Sequence, residues 1–123
     1  MTIGDQIQNL GTHSVLRVSG SVPLEVAMKM AISAIAWCRE NNVQKLLVNG
    51  LEMHELPVPT VSQRYWFVAD SASAAKAAVK VAMVLRPELI DPQRFGMTVA
   101  ANRNLNANVF TDEAQATAWL LAP

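Results

Sequence analysis

Apolar and polar positions recur along this chain with two different periods, and each change of period marks an element boundary. Residues 7–10 and 14–19 read as short β runs separated by the turn signal Gly11-Thr12, which predicts an N-terminal hairpin. Gly20 and Ser21 close the second run. Pro23 suits a first helical turn, and a helix is expected from there to about Glu40, where Asn41-Asn42 stops it. The KLLV run at 45–48 has the continuous apolar character of a buried parallel strand. Residues 49–59, with two prolines, read as a loop, and Thr60-Val61-Ser62-Gln63 matches the capping box that opens a helix. That helix is expected to reach residue 77 or 78, ahead of an almost wholly apolar strand at 79–85. Asp91-Pro92, an N-cap followed by a first-position proline, predicts a third helix through Phe95 and Val99 that frays near 102–104. A short strand at 108–110 and a terminal helix complete the chain, with Thr111 as its N-cap, Asp112 and Glu113 in its first turn, and Ala116, Trp119 and Leu120 on one face.

Strands alternating with helices predict an α/β fold: a mostly parallel sheet of four or five strands, begun by a hairpin and covered by four helices, in one domain over residues 1–123. Within the helices the spacing also assigns faces. On the helix after Thr60, Val61, Tyr65, Val68 and Ala72 recur at helical spacing and should face the sheet, which turns Trp66 about 100° away, toward polar neighbours. On the first helix Leu24, Met28, Ala31 and Ile35 form the sheet-facing stripe, and Val26, Met30 and Trp37 form a second apolar stripe on another side.

Composition sharpens this picture at three points. The chain is 51% hydrophobic and only 16% charged, so disorder is excluded and much apolar surface must be covered. Ten basic residues balance ten acidic ones, leaving no basic field for nucleic acid. No apolar stretch is free enough of charge to span a bilayer, and the N-terminus has no secretory pattern, so a cytoplasmic protein is expected. Cys38, the single cysteine, excludes an internal disulfide and sits on the apolar arc of a helix, where a buried and inert thiol is expected.

The residues that carry a family resemblance are VLRVSG at 15–20, KLLV at 45–48, KVAMV at 80–84, and Val109, Phe110, Asp112, Ala116, Trp119 and Leu120. In this order the chain resembles a STAS domain, the fold of anti-sigma-factor antagonists, and within it the SpoIIAA-like branch. The resemblance implies the STAS arrangement of sheet and helices over essentially the whole chain. It also implies a serine beside an aspartate after the strand at 45–48, acting as phosphate acceptor. The loop NGLEMHELPVPTVS departs from that pattern: it holds no Asp-Ser or Asp-Thr pair, and Thr60 and Ser62 are its nearest hydroxyls.

Chemistry-bearing residues are sparse. Glu52, His54, Glu55 and Thr60 form the one candidate loop site, and two or three donors without a second histidine make a poor zinc site, so a solvated loop is the expectation. With no nucleophile elbow, phosphate-binding glycine loop or dinucleotide fingerprint, no enzymatic activity, cofactor or metal is expected. What remains is surface. Trp66, with Arg64 as a rim charge, and the Val26, Met30 and Trp37 stripe are candidates for a partner or dimer contact. The leading expectation is a non-enzymatic interaction or regulatory module, homodimeric or bound to a regulatory protein. The alternative is a carrier of a small apolar ligand or lipid, suggested by the apolar excess and six methionines. An enclosed apolar pocket would favour the carrier, and a flat apolar patch paired across a two-fold axis would favour the module.

Overall fold

The computed structural model describes residues 2–123, and its elements follow the chain order that the sequence pattern predicts. A single 3-10 turn, Ile3–Gln6, precedes β1 (Ile7–Asn9) and β2 (Ser14–Gly20); then come α1 (Leu24–Glu40), β3 (Lys45–Met53), α2 (Val61–Ala75) and β4 (Lys80–Val84). A second 3-10 turn, Pro87–Leu89, leads to α3 (Phe95–Asn102), β5 (Ala107–Phe110) and α4 (Glu113–Leu121). The protein is therefore α/β with a five-stranded, mostly parallel sheet and four α-helices.

Strand order in the sheet is β1-β2-β3-β4-β5, the order of the chain itself. Only the β1–β2 hairpin is antiparallel. When parallel strands advance in one direction across a sheet, crossovers of one hand land on one face, and side-chain alternation records the outcome. Leu16, Val18, Leu46, Val48 and Val81 point to the face covered by α1, α2 and α3, together with Ala31, Ile35, Val68 and Val99. Val15, Leu47, Ala82 and Val84 point to the opposite face, which α4 covers with Ala116 and Leu120.

Local chemistry explains most boundaries. Thr60 caps α2 as the sequence predicts: its hydroxyl accepts from the Gln63 N–H at 3.1 Å, and the Gln63 side chain accepts from the Thr60 N–H at 2.9 Å. The same helix ends at Ala75, short of 77–78, because Lys76 and Ala77 take left-handed conformations with φ of 48° and 60°. For α4 the cap is Asp112 and not Thr111, since the Asp112 carboxylate accepts from the Ala114 and Gln115 N–H groups at 2.7 and 3.1 Å. Asp91 accepts from the Gln93 and Phe95 N–H groups at 3.2 and 2.9 Å, which makes a turn and delays α3 to Phe95.

Two further expectations are corrected. β3 runs on to Met53 through what reads in sequence as loop, because Glu52 and Met53 pair with Ser19 and Gly20 past a register shift in which β3 carries one residue more than β2 between Asn49 and Glu52. Val61 is 63% exposed; the inward stripe of α2 begins one turn later and centres on Val68, Ala69, Ser71 and Ala75, with Tyr65 and Ala72 half-buried. Cys38 is fully buried, and desolvation pushes its thiol up to about 11, so no reactive thiolate forms near neutrality.

At the C-terminal end of α4, Lys80 donates its ammonium to the Trp119 and Ala122 carbonyls at 2.7 and 3.2 Å and lies 4.4 Å over the Trp119 ring. At the sheet edge, Asn108 Oδ1 accepts from the Val109 N–H at 2.9 Å and also from the Arg94 guanidinium.

Leu120 is wholly buried, whereas Trp119 is half-buried against Phe110 at 5.8 Å between ring centroids. We expect Leu120→Ala to cost about 2–5 kcal/mol. Trp119→Ala should cost less than the ~3–5 kcal/mol of a fully buried ring, because part of the indole stays in water. Urea denaturation midpoints of the two variants check the order.

Candidate functional site

The C-terminal ends of β2, β3 and β4 meet the first half of α1, the start of α2 and the segment leading into α3 around an apolar cavity of about 140 Å³. Its floor is the three-helix face of the sheet, where Val18, Val48 and Met83 alternate inward. Ala27 and Ala31 on α1, Phe67 and Val68 on α2, and Met97 on α3 make its walls. Leu56 and Pro59, just before α2, and Leu89 and Ile90, just before α3, line its rim side.

The hollow has an identifiable origin. Protein interiors pack to near-crystalline density unless small side chains stand where large ones would fit. Here α1 presents Ala27 and Ala31, β3 presents Gly50, and α3 presents Gly96. At Gly50 a Cβ would lie 2.5 Å from Met53 Cε, so Met53 lies folded against bare backbone there. Four of the six methionines, Met28, Met53, Met83 and Met97, line the space. Unbranched thioether side chains adjust to irregular shapes at little rotamer cost.

A second, polar arrangement lies on the opposite face. Arg17 on β2 and Asn49 on β3 point away from the cavity by strand alternation and converge on Glu113 in the first turn of α4. The Arg17 guanidinium donates to the two carboxylate oxygens at 2.6 and 3.2 Å, and the Asn49 amide donates at 2.6 Å. Asn49 is itself buried and also accepts from the Leu51 N–H at 2.9 Å. The Arg17 hydrogen bond first, and the Asn49 one second, hold the Glu113 carboxyl below its ordinary range. A carboxylate kept ionised by two donors is a poor general acid, and this cluster fastens α4 to the sheet.

The sequence-derived candidates scatter. Glu52, His54 and Glu55 are all exposed, Glu52 within β3 and Glu55 in a left-handed turn, and among the described residues no three acidic, histidine or cysteine side chains are grouped as a metal site would need. Thr60 is occupied as the α2 cap. Trp66 is 60% exposed, its indole in an edge-to-face contact with Tyr65 at 5.1 Å between centroids. Arg64 does not accompany it. Residues two apart on a helix point about 200° apart, and Arg64 turns to the cavity, donating to the Leu89 carbonyl at 3.3 Å. In the second stripe of α1 Val26 is exposed, while Met30 and Trp37 pack against the core, and Trp37 lies under Gly4 of the N-terminal turn.

The cavity as a place is absent from the sequence reading. Its signals were the methionine count and the sheet-facing stripe of α1, of which Leu24, Met28 and Ala31 line the space. No protein-family model matches the chain, and no curated protein or solved structure matches it significantly.

The Glu113 cluster predicts a pH effect with a definite sign. A carboxyl depressed in the folded state contributes stability above its unfolded value of about 4.3 and loses it as pH falls toward the lower folded value. Glu113→Gln should therefore lower the thermal midpoint at pH 7 and bring the two proteins together near pH 2–3. The side chains of Arg17 and Glu113 are 52% and 37% exposed, so the loss at pH 7 should stay below about 1 kcal/mol. Midpoints by circular dichroism across pH 2–8 check it.

Proposed function

We propose that this protein reversibly binds a small apolar molecule in the cavity at the C-terminal ends of β2–β4, as a non-enzymatic carrier or sensor. One observation carries the reading: a space of about 140 Å³ is kept open in the core by alanines and glycines and walled by methionines. Filling it would stabilise the fold, since each lost contact in a void costs dispersion and transfer energy. A chain that leaves it unfilled forgoes that stability. The volume supports a compact ligand and not a long acyl chain, because a cavity of about 150 Å³ holds one benzene. Resemblance to SpoIIAA-like STAS domains belongs to the same reading, supported by the opening hairpin, the alternating strands and helices, and the terminal helix. With Thr60 engaged as a cap, the reading needs no phosphate switch. The lone buried thiol accords with a reducing compartment, so the cytoplasm is part of it.

Toluene titrated into protein carrying ¹³C-methyl methionine tests the proposal. Met28, Met53, Met83 and Met97 should shift in the methyl spectrum, while Met30, outside the lining, stays in place. Unchanged spectra up to the solubility of toluene, or shifts as large at Met30, would defeat it.

A second reading, self-association through α2, keeps one specific observation in its favour: Trp66 is 60% exposed. If Trp66 centres a homodimer, Trp66→Ser should weaken association roughly thirtyfold, the equivalent of a 2 kcal/mol hot spot. Sedimentation equilibrium at micromolar concentration decides it, and two indistinguishable profiles leave Trp66 a solvated side chain.

A further inference from the structure

Among the described residues, polar side chains on the cavity wall are confined to three charged ones: Arg64 from α2, and Asp91 and Arg94 from the segment before α3. Arg64 hydrogen-bonds the Leu89 carbonyl and its charge reaches Asp91, while the Arg94 backbone N–H donates to the Asp91 carbonyl at 2.9 Å. Asp91 is already committed to the turn it builds, accepting from the Phe95 and Gln93 N–H groups, and these bonds hold its carboxyl below the ordinary range. The arginines are not so committed. Among the described residues each guanidinium makes one hydrogen bond, Arg64 to Leu89 and Arg94 to Asn108, and neither forms an ion pair. Arg94 also takes a left-handed backbone with φ of 54°, a conformation that favours glycine, so the chain holds a bulky cation here at a backbone cost.

We propose that the ligand is a small monocarboxylic acid, its apolar group of about six to eight carbon atoms inside the cavity and its carboxylate at the rim against the Arg64 and Arg94 guanidiniums. The inference rests on the cavity being a ligand site. Guanidinium forks match carboxylate geometry and bond it more strongly than they bond neutral acceptors. Two arginines against one aspartate leave a single net positive charge, which balances a monoanion and not a phosphate dianion. Without such an anion, a purely apolar ligand would gain nothing from either arginine.

Calorimetric titration of the intact protein at pH 7 with phenylacetate, phenylacetamide, phenethylamine and benzyl phosphate tests the charge requirement on one ring. Phenylacetate should bind about tenfold tighter than phenylacetamide, the gain expected of charge-assisted hydrogen bonds. Phenethylamine should bind more weakly than the amide, and benzyl phosphate no tighter than phenylacetate. In the double variant Arg64→Gln, Arg94→Gln phenylacetate should fall to the level of phenylacetamide, while toluene still shifts the four methionine methyls. Equal affinity for acid and amide in wild type, tighter binding of benzyl phosphate, or an acid preference that survives in the folded double variant would overturn the inference. If toluene still shifts the methionines in any of those cases, the apolar-ligand reading stands without it. Should the double variant not fold, the wild-type ranking of the four ligands decides alone. Failure of toluene and phenylacetate alike removes both.

Discussion

Strand order equal to chain order is the constraint on which the rest of the structure depends. Because β2, β3, β4 and β5 advance across the sheet without reversal, α1, α2 and α3 fall on one face and must share it. Doubly wound sheets divide such helices between two faces and open a crevice where the order reverses. Here there is no reversal, and three helices crowd over the parallel strands. The space left at their junction lies beneath the helices, at the carboxyl ends of the strands, and the residues that keep it open are small ones on α1, β3 and α3.

The other face is finished by a single helix, and its fastening is polar at both ends. Glu113 at the start of α4 is gripped by Arg17 and Asn49, and Lys80 captures the last carbonyls while stacking on Trp119. Between these points Ala116 and Leu120 supply the apolar contact with Val15, Leu47 and Ala82. The division of labour is physical. Burial gives α4 its adhesion without direction, and the charged ends fix its angle across β3 and β4.

How much of this was legible in sequence depended on whether the cause was local. The capping box at Thr60, the span of α1 and the acidic first turn of α4 are decided within one helical turn, and they can be read directly. Asp112 displaces Thr111 as cap because two capping residues stood side by side, and pattern alone does not choose between neighbours. The extension of β3 to Met53 was hidden because it depends on a register shift against β2, a long-range pairing that overrides a loop-like composition. Val61 fits the helical period but lies in the first turn of α2, beyond the reach of the sheet. The cavity was the hardest to see. It comes from small side chains on three elements remote in sequence, and Arg64, expected as a rim charge for Trp66, belongs to that space instead.

The arrangement at Asn108 has a consequence for how this molecule behaves among copies of itself in a crowded solution. The carbonyls of Asn106 and Phe110 accept from β4, so strand alternation directs the Val109 N–H outward, to the open side of the outermost strand. Unpaired donors in that position are templates on which another chain can add a strand and begin fibril growth. The Asn108 side chain takes that donor for itself, and Arg94 reaches across to the same oxygen. With β5 only four residues long and its Val109 donor satisfied from within, the sheet offers less on that side to an incoming strand.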